Sequence, residues 1–331
     1  MSFSNEELLD MYSDMVNARV MGEQIIEYIK SGRIAGAIHP SIGQEAISAG
    51  VIQAFKKSPV KKNYGTCTHR SQRISIWRMG WKPFVGELLG RSTGVNSGVS
   101  GEYHTTDIDG CTIPATGALG GTWGILAGVA WALKQQGRKD EICFAPYGDG
   151  AVQEGATYEA MNIATLYKLP ILFFVENNQI AMSTPTTQET VLENISDRAA
   201  AFNMRGVTVD GNDPIAVCEA IIEGMDLAAK CEPNIVEAKT FRWEGHFIGD
   251  PQTYRDLSFR DHLDDIDPII KYENVLKEQG VIDDRMIVQV HDDERKKVQD
   301  IFEGTFNDAP ATEEMVMDYN RLYSNDCGGE L

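Results

Sequence analysis

The sequence predicts a doubly wound α/β fold, a mainly parallel sheet flanked by helices, followed by a helical C-terminal extension. Three observations predict it. From residue 124 onward, short apolar runs alternate with segments of helical periodicity. The runs carry no polar face, as strands buried on both sides require. From about residue 262 the chain turns polar and acidic while keeping helical spacing. We accordingly expect an α/β domain over residues 1–261 and an acidic helical extension over 262–331.

Taken in order, Ser4 with Glu7 forms a capping box. Leu8, Tyr12, Met15, Val16, Val20, Ile25 and Ile29 follow at helical spacing up to Gly32, so a long amphipathic helix opens the chain. A second helix is expected near residues 44–56, stopped by Lys57-Ser58-Pro59. Glycine then recurs at 90, 94, 98, 101, 110, 117, 120, 121 and 124 with few periodic apolar positions, which fits loops that approach a ligand with bare backbone. Residues 124–136 read as a helix of small residues, 141–147 as a strand, 155–168 as a helix and 170–175 as a strand. Residues 207–210 give a third strand, 214–230 a helix with proline near its start, and 234–241 a fourth strand. Helical segments at 267–279 and 283–302 make up the extension. There is no internal repeat and no low-complexity linker.

Composition excludes several classes. Of 331 residues, 42% are hydrophobic and 24% charged, so disorder is not the main state. Lys and Arg number 30 against 49 Asp and Glu, a formal charge of −19, so neither nucleic acid nor an anionic membrane is an expected partner over most of the surface. The apolar run at 171–175 falls far short of the roughly 20 residues that cross a bilayer. The N-terminus opens with Ser4-Asn5-Glu6-Glu7 rather than a basic stretch followed by an apolar one, so no signal peptide is expected and the chain reads as soluble and cytoplasmic. Cysteines at 67, 111, 143, 218, 231 and 327 contain no CxxC and no zinc-site spacing. Cys143, within an apolar run, reads as a small core residue.

The informative segment runs from Tyr147-Gly148-Asp149-Gly150-Ala151 to Glu176-Asn177-Asn178. Gly148 and Gly150 bracket an acid at the carboxyl end of one strand, and Asn178 lies just past the next, 29 residues on. Open α/β sheets bind ligands at those ends. Neighbouring strands are about 4.8 Å apart, within reach of one hard cation. The Asp149 carboxylate and the Asn178 amide oxygen, with a nearby carbonyl and a phosphate, would make an octahedral Mg2+ site. Two other readings stand beside this one. Asp149-Gly150 alone is equally a turn. A dinucleotide fingerprint would place its third glycine at Gln153, and an uncompensated Asp149 would repel a pyrophosphate at the helix N-terminus. A divalent cation removes that repulsion, so a metal-bridged diphosphate accounts better for the acid.

On these residues the sequence resembles a known family. Gly148-Asp149-Gly150 followed by Asn177-Asn178 resembles the thiamine diphosphate motif. The surrounding sequence resembles the alpha subunit of the decarboxylating dehydrogenase component of 2-oxo acid and acetoin dehydrogenase complexes. The likeness runs from about Tyr12 to Arg260. It includes Gly43-Gln44-Glu45-Ala46, Thr68-His69-Arg70, Val209-Asp210-Gly211-Asn212-Asp213 and Arg242-Trp243-Glu244-Gly245-His246. Residues 247–255 look more like bacterial acetoin dehydrogenases than pyruvate dehydrogenases.

The resemblance implies a thiamine diphosphate-binding fold and a set of site residues. Asp149, Asn178 and the carbonyl of Ile180 match the Mg2+ ligands, and Gly150 with Ala151 match backbone contacts to the diphosphate. Arg70 and Arg242 match diphosphate arginines, whose planar forks suit phosphate oxygens. His69 stands where pyruvate enzymes have tyrosine. Pro114 and Thr116 lie in the segment that matches backbone holding the aminopyrimidine ring. His246 matches an active-site histidine on a loop that orders around the cofactor, and His104 another histidine near the site. Gln72 and Arg73 depart from the family's histidine and glycine, which marks part of the substrate pocket as different. Phe247 replaces a regulatory serine.

The implied activity is cleavage of acetoin or decarboxylation of a 2-oxo acid, pyruvate or branched-chain, with the acyl group passed to lipoamide on a lipoyl-bearing acyltransferase. Thiamine diphosphate and Mg2+ are the implied cofactors, and a beta subunit in an α2β2 heterotetramer the implied partner. The diphosphate-binding half of a split transketolase is the alternative, because Gln153-Glu154-Gly155 and Tyr158-Glu159-Ala160 resemble that family too. A non-catalytic binding subunit is a third reading, motivated by Gln72 and Arg73.

Overall fold

The computed structural model describes residues 2–318. The capping box at its start forms as the sequence predicts: the Ser4 hydroxyl accepts from the Glu7 N–H at 3.2 Å, and the Ser4 N–H donates to Glu7 Oε2 at 2.8 Å. It opens helix α1, Asn5–Lys30, which is followed by α2, Glu45–Lys57. Strand β1, Lys62–Gly65, leads to α3, Gln72–Met79, and α4, Trp81–Leu88. After the glycine-rich segment come α5, Thr122–Gln135, β2, Glu141–Gly148, α6, Gly155–Leu166, and β3, Ile171–Asn177. A small hairpin of β4, Ile180–Ala181, and β5, Thr184–Pro185, runs into the single turn α7, Thr186–Glu189. The sheet is completed by β6, Arg205–Asp210, α8, Pro214–Ala229, and β7, Asn234–Lys239. Helices α9, Leu263–Ile266, α10, Pro268–Glu278, α11, Asp284–Phe306, and α12, Glu313–Met317, end the described chain.

Five parallel strands lie in the order β1-β2-β3-β7-β6. Because strand side chains alternate, each apolar run supplies both faces. Ile142, Phe144, Leu172, Phe174 and Val236 join the core beneath α1, α2 and α8, while Cys143, Ala145, Ile171, Phe173, Val175 and Ile235 join the core beneath α5 and α6. Burying one such large side chain contributes about 1.5–3 kcal/mol, and this two-sided burial is what the uninterrupted apolar runs encode.

Among the elements not expected from the sequence are β1, α3 and α4. β1 is a short edge strand, Lys62-Asn63-Tyr64-Gly65, with no apolar run to signal it. α3 buries Gln72, Ile74, Ser75, Ile76 and Met79, so it shows no clean apolar stripe. Gly80, at φ +90°, separates it from α4. The glycine-rich segment itself is loop, as predicted. A buried carboxylate on α4 holds it in place: Glu87 Oε2 accepts from the N–H groups of Asn96 and Gly98, both at 2.9 Å, and Oε1 from the Ser100 N–H at 2.6 Å.

Helices α10 and α11 lie along α1. Tyr12 donates to Glu273 at 2.6 Å, Asn17 to Glu294 at 2.6 Å and Tyr28 to Glu303 at 2.8 Å. Arg19 bridges Glu45 on α2 and Asp267 at the start of α10. Cys67, Cys111, Cys143 and Cys218 are buried and free, Cys231 is half-buried and free, and Cys327 lies outside the described residues. Burial pushes the Cys143 thiol well above its ordinary range, as its core reading requires. Among the described residues, no helix is long and apolar enough to cross a membrane.

Candidate functional site

The carboxyl ends of β1, β2, β3 and β7 open into one cleft of about 350 Å3. Strands β2 and β3 are direct neighbours, with Gly148 opposite Glu176, so the residues just past both ends, Asp149 and Asn178, line the same cavity. Asp149 is 3% exposed. Its Oδ2 accepts from the Thr186 hydroxyl on α7 at 2.7 Å. Burial raises its carboxyl above the ordinary range, with the Thr186 bond acting the other way. The Asn178 amide donates to Gln44 Oε1 at 3.2 Å, while its Oδ1 is buried with no hydrogen-bond partner.

The turn that presents Asn178 is held from below. Asn177 donates to the buried Glu237 at 2.7 Å and accepts from the Gln179 N–H at 2.9 Å. Gln179 takes φ +68° to turn the chain into β4. Gly150 is needed here for space, because a Cβ on it would stand 2.3 Å from the Ala181 Cβ. A Cβ on Gly148 meets nothing within 4 Å. Ala151 follows on a short 3-10 turn along the cleft.

Two buried guanidinium groups face this carboxylate across the cavity. Arg70 donates to the Pro40 carbonyl at 2.6 Å and the His246 carbonyl at 2.8 Å. Arg242 donates to Met182 O and the Tyr254 hydroxyl, each at 2.7 Å, and to Ile180 O at 3.3 Å, while its Nε is buried without a partner. Burial away from water, together with their mutual repulsion, brings Arg70 down to about 9. Neither guanidinium has a direct carboxylate salt-bridge partner among the described residues, although Asp149 and Glu176 act on Arg70, and Asp250 and Asp149 on Arg242, at longer range.

His246 sits on a loop that Asp250 organises by accepting from the His246 N–H at 2.7 Å and the Tyr254 hydroxyl at 2.6 Å. Arg255 clamps the same loop through the carbonyls of Arg242, Trp243 and Glu244. Trp243 packs on Gly43, where a Cβ would come within 2.6 Å of the indole, so two of the motifs singled out in the sequence meet face to face. Burial, and then the two arginines, lowers His246 to about 4 and His69 well below its ordinary value. Both imidazoles are therefore neutral at neutral pH.

Of the expected residues, His69, Arg70, Asp149, Gly150, Ala151, Asn178, Ile180, Arg242 and His246 all line the cleft. Pro114 and Thr116 do not. Pro114 is exposed, the Thr116 hydroxyl bonds to Ala118 O at 2.7 Å, and Leu119 from the same segment reaches the cleft instead. His104 hydrogen-bonds Ala115 O at 2.9 Å and so braces this segment. Sequence reasoning missed His39, whose ring lies 4.4 Å from His69 and 4.7 Å from His246 between centroids. It also missed Glu176, whose carboxylate accepts from Thr68 at 2.6 Å and from Ser71 and so ties the loop after β1 to the end of β3. A charged residue closing an otherwise apolar strand was the available signal for Glu176. His39 has no such signal. Gln72 reaches back to the His39 carbonyl at 3.0 Å, and Arg73 pairs with Asp14 on α1.

Comparison with known proteins shows the family of the chain. The profile of the family described as dehydrogenase E1 component matches residues 12–314. The alpha subunit of acetoin:2,6-dichlorophenolindophenol oxidoreductase from Bacillus subtilis (strain 168) is 34% identical over 280 residues, spanning 83% of this chain and 82% of that protein. The pyruvate dehydrogenase E1 component subunit alpha of Zymomonas mobilis is 33% identical over 298 residues, 89% of this chain and 83% of its own. That of Rickettsia bellii is 29% identical over 325 residues, 96% of each chain. The chain belongs to the dehydrogenase E1 component family, among enzyme subunits named as alpha.

Proposed function

We propose that this chain is the diphosphate-binding alpha subunit of a thiamine diphosphate- and Mg2+-dependent dehydrogenase. It would cleave acetoin or decarboxylate a 2-oxo acid and pass the acyl group to a lipoyl-bearing acyltransferase. It would work with a beta subunit as an α2β2 heterotetramer, with residues 262–331 as an accessory extension. The observation that carries this reading is the pairing of the buried Asp149 carboxylate with the partnerless Asn178 Oδ1 at neighbouring strand ends. Both atoms are oxygens, the ligand type a hard cation prefers. Arg70 and Arg242, without a direct salt-bridge partner among the described residues, fit the diphosphate that such a cation would bridge.

In this reading Asp149, Asn178 and Ile180 O hold the Mg2+, and Gly150 and Ala151 bring bare backbone to the diphosphate. Arg70, Arg242 and His69 donate to its oxygens, and Pro114 and Thr116 belong to the segment nearest the pyrimidine. Bound thiamine diphosphate supplies a carbon nucleophile and an electron sink that no side chain offers. His246, kept neutral beside the arginines, offers an N–H donor and a proton-accepting lone pair to a substrate oxygen. Calorimetry on the chain assembled with its partner tests the reading: thiamine diphosphate uptake should require Mg2+ and vanish on chelation. Uptake indifferent to Mg2+ would contradict it, and full turnover from the single chain would contradict the need for a partner.

A further inference from the structure

We infer that His39, His69 and His246 form a site for one nitrogen-preferring divalent transition metal ion of the Zn2+ class, distinct from the oxygen-lined Asp149–Asn178 end of the cleft. Their ligating ring nitrogens all lie within 4.8 Å of one another. Around a tetrahedral ion with Zn–N bonds of about 2.0–2.1 Å, three nitrogens stand about 3.3 Å apart, so closure asks for shifts of roughly an ångström at the ring tips. The three side chains come from three different loops, before α2, after β1 and after β7, so the ion would be held by chain segments far apart in sequence.

The donor chemistry fits such an ion. Among the described residues no hydrogen bond holds a ring nitrogen of these histidines, and His246 Nδ1 is buried without a partner. Burial leaves all three rings neutral, so their lone pairs are free. Imidazole suits Zn2+, Cu2+ or Ni2+, and a site without carboxylate does not suit Mg2+. Arg70 and Arg242 oppose any cation here, so affinity rests on the chelate outweighing their field. Since His69 is placed at the proposed diphosphate and His246 at the substrate oxygen, occupancy by the ion would exclude turnover and fasten the 241–257 loop to its neighbours.

The test is a Co2+ titration of the full chain, stripped with chelator and free of thiamine diphosphate, read by visible absorption and calorimetry. One equivalent should give the spectrum of four-coordinate Co2+ and be displaced by Zn2+. His39→Asn and His246→Asn should each weaken binding at least about tenfold, since loss of even an outer-shell partner costs 10–100-fold. The exposed His262→Asn and the cleft variant Asp149→Ala should leave it unchanged. The proposal is overturned by absence of the four-coordinate band, by wild-type affinity in both histidine variants with circular dichroism intact, or by loss of the signal in Asp149→Ala. Co2+ binding that survives in Asp149→Ala while Mg2+-dependent cofactor uptake disappears separates this site from the proposed magnesium site.

Discussion

On one wall of the cleft, Asp149 and Asn178 stand at the ends of adjacent strands whose register puts Gly148 opposite Glu176. On the other stand His69 and His246, with the His39 ring packed behind them, the three hanging from three loops. The first wall inherits its geometry from the sheet, where strand spacing alone brings the two side chains together. The second is held by hydrogen bonds between loops: Arg70 on two carbonyls, Gln72 on a third, Arg255 on three more, Asp250 on the His246 N–H, and a backbone bond from the Ile248 N–H to the Ile38 carbonyl. The neutral Gln72 clamp is worth about 0.5–1.5 kcal/mol net and a charge-assisted one about 1.5–3, comparable to one core side chain, but each fixes a single loop atom rather than a whole strand. The same cleft thus joins a wall set by the sheet, where the Asn178 Oδ1 is left unpaired, to a wall of loops carrying neutral nitrogen donors.

Three changes would break or sharpen this contrast. Asp149→Asn should have the largest effect, lowering Mg2+-dependent cofactor uptake by about two orders of magnitude if the charged contact is worth roughly 1.5–3 kcal/mol. Its melting temperature should hold or rise, because burial already disfavours the carboxylate in the fold. A variant that melts earlier yet binds normally would show that Asp149 supports structure rather than a ligand. Next comes the glycine pair. Gly150→Ala must displace Ala181 and should cost about 1–3 kcal/mol in urea denaturation, whereas Gly148→Ala, with nothing within 4 Å, should stay within about 0.5 kcal/mol of the wild type. Equal losses would mean that the hairpin does not constrain this wall.

The smallest effect lies on the loop wall and is read through pH. His39 and His246 titrate at about 3 and about 4 in the fold, below the ordinary 6.5, so the unfolded chain takes up their protons first. Their share of stability is complete above pH 6.5 and is lost as pH falls through 6.5 towards 4 and then 3. Asp149 and Glu176, whose carboxyls are raised by burial, act in the opposite direction. His39→Asn should therefore show a shallower fall in melting temperature between pH 7 and pH 5 than the wild type, the carboxyl contribution being common to both. Parallel curves would mean that the His39 ring is solvated.

Legibility follows the same division. Strands β2, β3, β6 and β7 could be read because each is a run with β-strand composition, and the rule that ligands gather at the carboxyl ends of parallel strands then located Asp149 and Asn178. β1 could not, since four mostly polar residues at a sheet edge carry no such pattern. Nor could α3, whose buried Gln72 and Ser75 blur its apolar stripe, although Gln72 holds His39 in place. Pro114 and Thr116 lie in a segment where glycine spacing sets no register, and it is Leu119 of that segment that lines the cleft.

The sequence by itself determined what depends on nearby residues. Apolar runs set the strands, the Ser4 box set the start of α1, and the 29-residue interval placed an acid and an amide at consecutive strand ends. Only the tertiary structure decided what depends on residues far apart: which carbonyls Arg70 and Arg242 grip, that Glu176 is taken up by Thr68 and Ser71, and that His39 stands beside His69 and His246. The physical reason is that local pattern encodes periodicity and burial, which the backbone turns into regular elements. Loop side chains carry no period, and their positions follow from packing and hydrogen bonds that exist only once the whole chain has folded.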